Sequence, residues 1–300
     1  MPRRNPAAPY LNDAEAKLED LDGHHLDVLT LRKPLDAAEA MGWAKVVSKL
    51  SPILGNLLEF EIVRLLNELD LPDGCEWVRQ DPGFPDAALL GLLDPPPGIE
   101  IKAWFPLATE ITGRFRESQV RLLDGSVRLA VICWLPEFVL FGRPIVLGTF
   151  VDNALSVAKA RDDHYFQPPQ YLVREPEDTS ARTANLQQTI TNGFRCQETG
   201  AALAKAEREV AKWDRKLRRY SHEADVQDKI RDLIARYNYR LDTNFAKIDR
   251  VDHPGLEAFK TKMLGTEFHG KTILGWSQEF ARSPQAAADD IMTLAESAPD

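Results

Sequence analysis

Three side chains in one short stretch have the types and spacing to do chemistry together: Asp86, Glu100 and Lys102. Asp86 follows Phe84-Pro85, and the other two lie in Gly98-Ile99-Glu100-Ile101-Lys102-Ala103-Trp104, just after Pro95-Pro96-Pro97. Both segments read as short apolar strands that carry charge where a strand is ordinarily greasy. Side chains alternate along a strand, so Glu100 and Lys102 share one face while Ile99, Ile101 and Ala103 share the other. Two carboxylates and one ammonium can then converge at one end of a sheet. A metal-dependent phosphodiesterase needs this set, because carboxylates hold a hard cation and a lysine places positive charge near nucleophile and phosphate. A plain ion pair of Lys102 with Asp86 or Glu100 gives the same proximity without catalysis.

The elements that must position these residues follow from periodicity. Ala38, Met41, Val46, Val47 and Leu50 predict an amphipathic helix over 36–50. Ser51-Pro52 reads as a cap and first-turn proline, so a second helix is expected from Ile53 to Leu69, apolar almost all round and buried against a sheet. Glu59 and Glu61 sit inside it, each either at a solvated rim or in need of a buried partner. After the breaker Leu71-Pro72-Asp73-Gly74, residues 76–80, 85–92 and 98–104 predict three short strands in an antiparallel meander. A helix from a Thr112 cap to Leu123 follows. Val127–Leu135 is a near-continuous apolar run, the mark of a strand covered on both faces, and Pro144–Val151 gives a fifth strand before a helix capped by Asp152. This order predicts an α/β fold with a mixed sheet flanked by helices.

The 300 residues, 44% of them hydrophobic, suffice for a large core. Cys75, Cys133 and Cys196 form no C-x-x-C pair, which points away from a disulfide framework or zinc site, and the adjacent His24 and His25 cannot share a helix face. No G-x-S-x-G elbow is present, and Cys133 lies in an apolar strand, so Ser, Cys or His hydrolase chemistry finds no support. Neither an export signal nor an apolar run of about 18 residues is evident, so a cytoplasmic protein with no membrane partner is expected. The net charge of −9 conceals a local excess: between Arg195 and Arg250, fourteen basic residues face ten acids. Lys212, Arg215, Lys216, Arg218 and Arg219 are its one concentrated cluster, either a solvated helix face or a phosphate-contacting one. Around it, Leu203, Ala206, Val210, Trp213, Leu217 and Tyr220, then Val226, Ile230, Leu233, Tyr237, Leu241 and Phe245, predict two packed helices. Upstream, residues 164–195 are dense in amides, hydroxyls and arginine. Arg182, Thr183, Asn185, Gln187 and Gln188 there are the types that pair with base edges, although a solvated loop has the same composition.

Pro85-Asp86, thirteen intervening residues, then Glu100-Ile101-Lys102, set between a glutamate-bearing helix and a helix–strand pair, resembles the core of the PD-(D/E)xK nucleases. Residues 53–135 carry the likeness, and the whole chain looks like a type II restriction endonuclease. The resemblance implies a restriction-endonuclease-like core, with residues 1–50 as a helical N-terminal region, 51–165 as the nuclease core and 166–300 as a recognition loop plus helices for DNA contact or dimerisation. It implies that Asp86 and Glu100 bind Mg2+ with the Ile101 carbonyl, and that Lys102 assists the attacking water. A helix glutamate often joins such a set; Glu59 fits that habit better, with Glu61 as its rival. The expected activity is Mg2+-dependent, sequence-specific cleavage of double-stranded DNA by a homodimer in a restriction-modification system. A non-specific, repair or defence nuclease of the same core, or a catalytically silent DNA-binding protein, are the alternatives.

Overall fold

A computed structural model describes residues 6–81, 83–107, 111, 122, 125–165, 193–196, 198–213, 224–237, 239–242 and 251–299. The chain divides into two compact units, one of Met1–Gly113, Asp124–Leu155 and Pro254–Asp300, the other of Arg114–Leu123 and Ser156–His253.

The first unit is built on a five-stranded mixed sheet. Helices α1 (Ala8–Glu19) and α2 (Ala37–Leu66) precede strands β1 (Glu76–Arg79), β2 (Ala87–Leu90), β3 (Gly98–Trp104), β4 (Val127–Pro136) and β5 (Pro144–Asn153), which lie side by side in that order. β1, β2 and β3 form the antiparallel meander that the short intervals require. β3 and β4 are parallel, and β4 and β5 antiparallel. β4 is buried along its whole length except at Arg128, as its unbroken apolar sequence demands.

Helices cover both faces of this sheet. Gly55 of α2 approaches Ala103 so closely that a Cβ there would lie 3.8 Å from the Ala103 Cβ. The next residue, Trp104, points to the opposite face and packs on Phe259, 5.9 Å between ring centroids, in helix Pro254–Gly265. That later helix also presses on β5, where Gly148 leaves room for the Met263 side chain. Helix Pro284–Ser297 packs on α2, so the residues after His253 close the body of the unit.

Two helical expectations change. Ser51-Pro52 does not begin a helix: α2 runs unbroken through it, with Pro52 in its interior. An interior proline removes one backbone hydrogen bond, a cost of about 3 kcal/mol that a helix anchored at both ends can absorb. Here Val47 lies in the core before the proline and Leu54, Leu58 and Ile62 lie in it afterwards. The buried face of the N-terminal half is thus Ala40 and Val47, while Ala38 and Val46 face solvent. The helix after β5, α3 (Ala154–Tyr165), is capped by Asn153 Oδ1, which accepts from the Leu155 N–H at 2.9 Å, rather than by Asp152. The expected helix at 112–123 lies outside the described residues apart from Leu122.

In the second unit, β6 (Gly193–Cys196) pairs antiparallel with β7 (Tyr239–Asp242), around helices α4 (Gly200–Ala211) and α5 (Ala224–Arg236). Leu203, Ala206 and Val210 of α4 pack against Leu233 and Tyr237, with Trp213 at the margin. The two packed helices are present, but the first stops at Ala211, before Trp213, and the second stops at Arg236. Tyr237, Tyr239 and Leu241 satisfy a period of two as well as Tyr237 and Leu241 satisfy a period of four, and pairing with β6 selects the strand. No helix among the described residues is long and apolar enough to cross a membrane.

Candidate active site

The site forms where two strands part. β2 and β3 pair only at Ala87–Ile99 and Ala88–Gly98. They meet there because Gly98 has no side chain: a Cβ would fall 2.2 Å from Pro85 Cγ and 2.3 Å from the Ala87 carbonyl oxygen. Beyond that contact β3 continues along β4, while β2 has not yet begun. The edge of β3 therefore presents the Ile101 N–H and C=O to a side chain instead of a strand. The Ile101 N–H donates to Asp86 Oδ2 at 2.7 Å, and the Ile101 carbonyl accepts from Lys102 Nζ at 2.9 Å. Asp86 thus occupies the place of a missing ladder partner, which fixes it against the backbone of Ile101.

Lys102 Nζ lies 3.1 Å from Asp86 Oδ2 and 2.6 Å from Glu100 Oε1. Three oxygens, one from each carboxylate and one from the Ile101 carbonyl, therefore converge on a single positive centre. Glu59 lies near enough for its charge to be felt by Asp86 and Lys102, and it is held by Arg79 Nε at 2.7 Å. Arg79 in turn bonds Asn56 Oδ1 and Asp81, and its guanidinium lies over the Phe60 ring. Glu61, one helical position pair away, is bonded by Arg64 and sits 3.8 Å from His24. Of the two rival glutamates, the structure brings Glu59 to the trio and turns Glu61 elsewhere. Arg79 escaped sequence reading, since an arginine at the end of a four-residue strand has no signature; Gly98 was legible only as the start of a strand.

Burial sets the electrostatics. It raises the Glu100 carboxyl to about 7, with the Asp86 charge adding to the rise and Lys102 opposing both. Burial also raises Glu59, and the Asp86 carboxylate adds to this against the pull of Arg79. For Lys102, burial disfavours the charge, but Glu100 and Asp86 together more than reverse it and leave the ammonium harder to deprotonate than usual. Three carboxylates against two cations give the cluster an excess of negative charge.

A divalent cation fits this set. Glu100 Oε2 is buried and has no hydrogen-bond partner among the described residues, an acceptor whose burial is costly unless a proton or a cation meets it. No three His, Cys, Asp or Glu side chains among the described residues stand close enough to hold an ion by themselves. The available donors are two carboxylates and one carbonyl, which suits Mg2+, an ion that keeps several of its waters. Cys133 offers no competing chemistry, because burial drives its thiol well above the ordinary range.

Of the residues expected to contact DNA, Lys212 is exposed at the C-terminal end of α4. Arg182, Thr183, Asn185, Gln187 and Gln188, and likewise Arg215, Lys216 and Arg219, lie outside the described residues. Comparison with known protein families, with curated proteins and with solved structures returns no match to this chain.

Proposed function

We propose that this chain is a PD-(D/E)xK nuclease of the type II restriction class, a Mg2+-dependent enzyme that hydrolyses phosphodiester bonds in double-stranded DNA at a specific sequence. One observation carries the reading: Asp86 Oδ2, Glu100 Oε1 and the Ile101 carbonyl converge on one point at the parted edge of a mixed sheet. The five-stranded sheet with helices on both faces is compatible with a restriction-endonuclease-like core. Cytoplasmic placement in a restriction-modification system belongs to the same proposal.

Asp86, Glu100 and the Ile101 carbonyl would hold Mg2+. When bound, the ion supplies polarisation of a phosphoryl oxygen and acidifies a water molecule. The chain's own residues do the rest. The hydrogen bond from the Ile101 N–H keeps Asp86 in place without a strand beside it. Lys102, kept protonated by the two carboxylates, stabilises negative charge that builds on the phosphate and on the incoming oxygen. Glu59, tied down by Arg79, adds a further acceptor at the margin of the site. In-line attack forms a new P–O bond, breaks the bond to the 3′ oxygen and leaves a 3′ hydroxyl once that oxygen takes up a proton from solvent.

Incubation of plasmid DNA with the protein and Mg2+ tests the reading. Discrete fragments fit a restriction enzyme, and a smear indicates an unspecific nuclease of the same core. DNA left intact across a range of divalent ions sinks the nuclease reading and leaves a buried ion pair.

A further inference from the structure

At the turn that joins β4 to β5 lies a cavity of about 480 Å³, within the size range of small-molecule sites. Phe138 and Phe141 line it and stack on each other, with ring centroids 4.9 Å apart and planes 11° apart. Arg32 and Lys33, from the segment that crosses this turn, and Arg143 line it too, with Glu137 as the one acid among its described lining residues. A chain of net charge −9 thus sets three cations against one carboxylate around an aromatic wall. The candidate active site is elsewhere on the sheet. Ile101 pairs with Ala130 of β4, and Pro136 stands six residues further along that strand, about 20 Å away at ~3.3 Å per residue.

Main chain holds the wall in place. The Leu31 N–H donates to the Gly142 carbonyl at 3.0 Å, and the Gly142 N–H donates back to the Leu31 carbonyl at 2.8 Å. Within the turn the Phe138 N–H donates to the Phe141 carbonyl at 2.9 Å. His269 stacks on Phe138 and donates through Nε2 to the Glu137 carbonyl at 2.6 Å. Between the two phenylalanines Val139 has a φ of +68°, and the Leu140 N–H donates to the Phe138 carbonyl across it at 2.7 Å. This is the strained hand of the three-residue turn, and a β-branched residue is an outlier there. Val139 and Leu140 are both buried, so packing imposes that conformation and keeps the rings at the cavity.

The cations differ in their commitments. Arg32 is bonded to Glu39 and lies over Trp43, which leaves it little to offer. Lys33 Nζ donates to the Ala298 carbonyl at 2.8 Å, a neutral acceptor that leaves its charge in place. Arg143 Nη1 stands 3.6 Å from Asp27, beyond hydrogen-bond length, and Asp27 is 90% exposed, so this pair is loose. An acidic group brought to Lys33 and Arg143 gains charge-assisted hydrogen bonds, and a flat ring suits the phenylalanine wall.

We propose that this cavity binds a small organic anion with a flat aromatic body, the ring against Phe138 and Phe141 and the acidic group at Arg143 and Lys33. A nucleoside phosphate and an aryl carboxylate share that chemistry. The inference rests on the turn and its cavity alone and stands whether or not the protein cuts DNA.

Calorimetric titration of the full chain, with divalent ions chelated, tests it with deoxyadenosine monophosphate and naphthoate as the two probes. At least one should saturate at about 1 mM or below, and the tighter of the two identifies the source of the ligand. Inorganic phosphate and uncharged deoxyadenosine should each bind about 10-fold more weakly than the tighter probe, because each carries only half of the recognised chemistry. Failure of both probes to saturate, or a half that binds as well as the whole, overturns the proposal. Arg143→Ala, at a side chain 44% exposed, should weaken binding by about 10-fold with an unchanged thermal midpoint, and Phe138→Leu should weaken it by about 5-fold. Parental affinity in Arg143→Ala places the ligand elsewhere and refutes the assignment. Glu100→Gln should bind the probe within about two-fold of the parent; a loss of binding there moves the probe to the candidate active site and refutes it equally.

Discussion

Replacing Glu100 by glutamine separates a catalytic carboxylate from a structural one. Glu100 is 7% exposed and titrates at about 7 in the folded chain against an ordinary 4.5, chiefly because burial disfavours its charge. Between those two values the folded chain holds a proton that the unfolded chain has released. Stability from this group is therefore complete below about 4.5 and is lost as pH rises through about 7. The full loss is about 3 kcal/mol, at 1.36 kcal/mol per unit. Glutamine keeps the shape and removes that loss. Against the gain stands a weakened contact with Lys102, worth about 1 kcal/mol because Asp86 and the Ile101 carbonyl remain to bond the ammonium. The net expectation at pH 8, with divalent ions chelated, is a variant about 1–2 kcal/mol more stable than the parent, or a midpoint higher by about 2–8 °C for a unit of this size. The parent should lose stability between pH 5 and pH 8 relative to the variant. Thermal unfolding at both pH values measures this, and plasmid cleavage in Mg2+ completes it, since the stabilised variant should be inactive. A variant less stable than the parent at pH 8 would refute the reasoning, because Glu100 would then be one half of a favourable ion pair.

Four further substitutions probe the other parts of the site. Lys102→Ala should abolish cleavage, by about 1,000-fold or more, and leave DNA binding measurable by gel shift; cutting at the parental rate would show that the site is elsewhere. Glu59→Gln should slow cleavage by about 10-fold or more while Glu61→Gln leaves it within about two-fold, because only Glu59 feels the charges of Asp86 and Lys102; equal effects would break that distinction. Gly98→Ala should destabilise the first unit by about 3 kcal/mol or more, since its Cβ would fall 2.2 Å from Pro85 Cγ and 2.3 Å from a main-chain oxygen; urea unfolding with no change in midpoint would show that β2 and β3 can separate freely there.

The legible parts of this fold were those set by a single period. β4 declared itself because the seven consecutive residues Leu129–Leu135 can all be apolar only if both faces are covered, and the meander because its loops are too short to cross over. Pro52 misled because proline is a start signal only where the preceding residues have no helical core contacts of their own, and Val47 has them. Tyr237 to Leu241 misled because five residues satisfy two periods at once, so a partner strand, invisible in a local window, makes the choice. The candidate site was legible in its members and not in its cause. Alternation placed Glu100 and Lys102 on one face, but nothing local predicts that Asp86 reaches them, sixteen residues from Lys102, through the N–H of Ile101.

That hydrogen bond also bears on what kind of site this is. A surface ion pair would need only the ends of flexible side chains to meet, and its members would drift apart in water. Here the Asp86 carboxylate is anchored to main chain, Glu100 is buried with one oxygen unsatisfied among the described residues, and Gly98 holds the two strands in contact immediately before they part. Each feature is costly for stability alone: an orphaned acceptor, a carboxylate driven to about 7, and a glycine inside a strand. Their common result is a set of oxygens around one positive centre at the edge where β2 has left β3. Costs that accumulate at one point of an otherwise well-packed sheet mark it as a candidate ligand site, and under the proposed function a cation there would offset the largest of them by meeting Glu100.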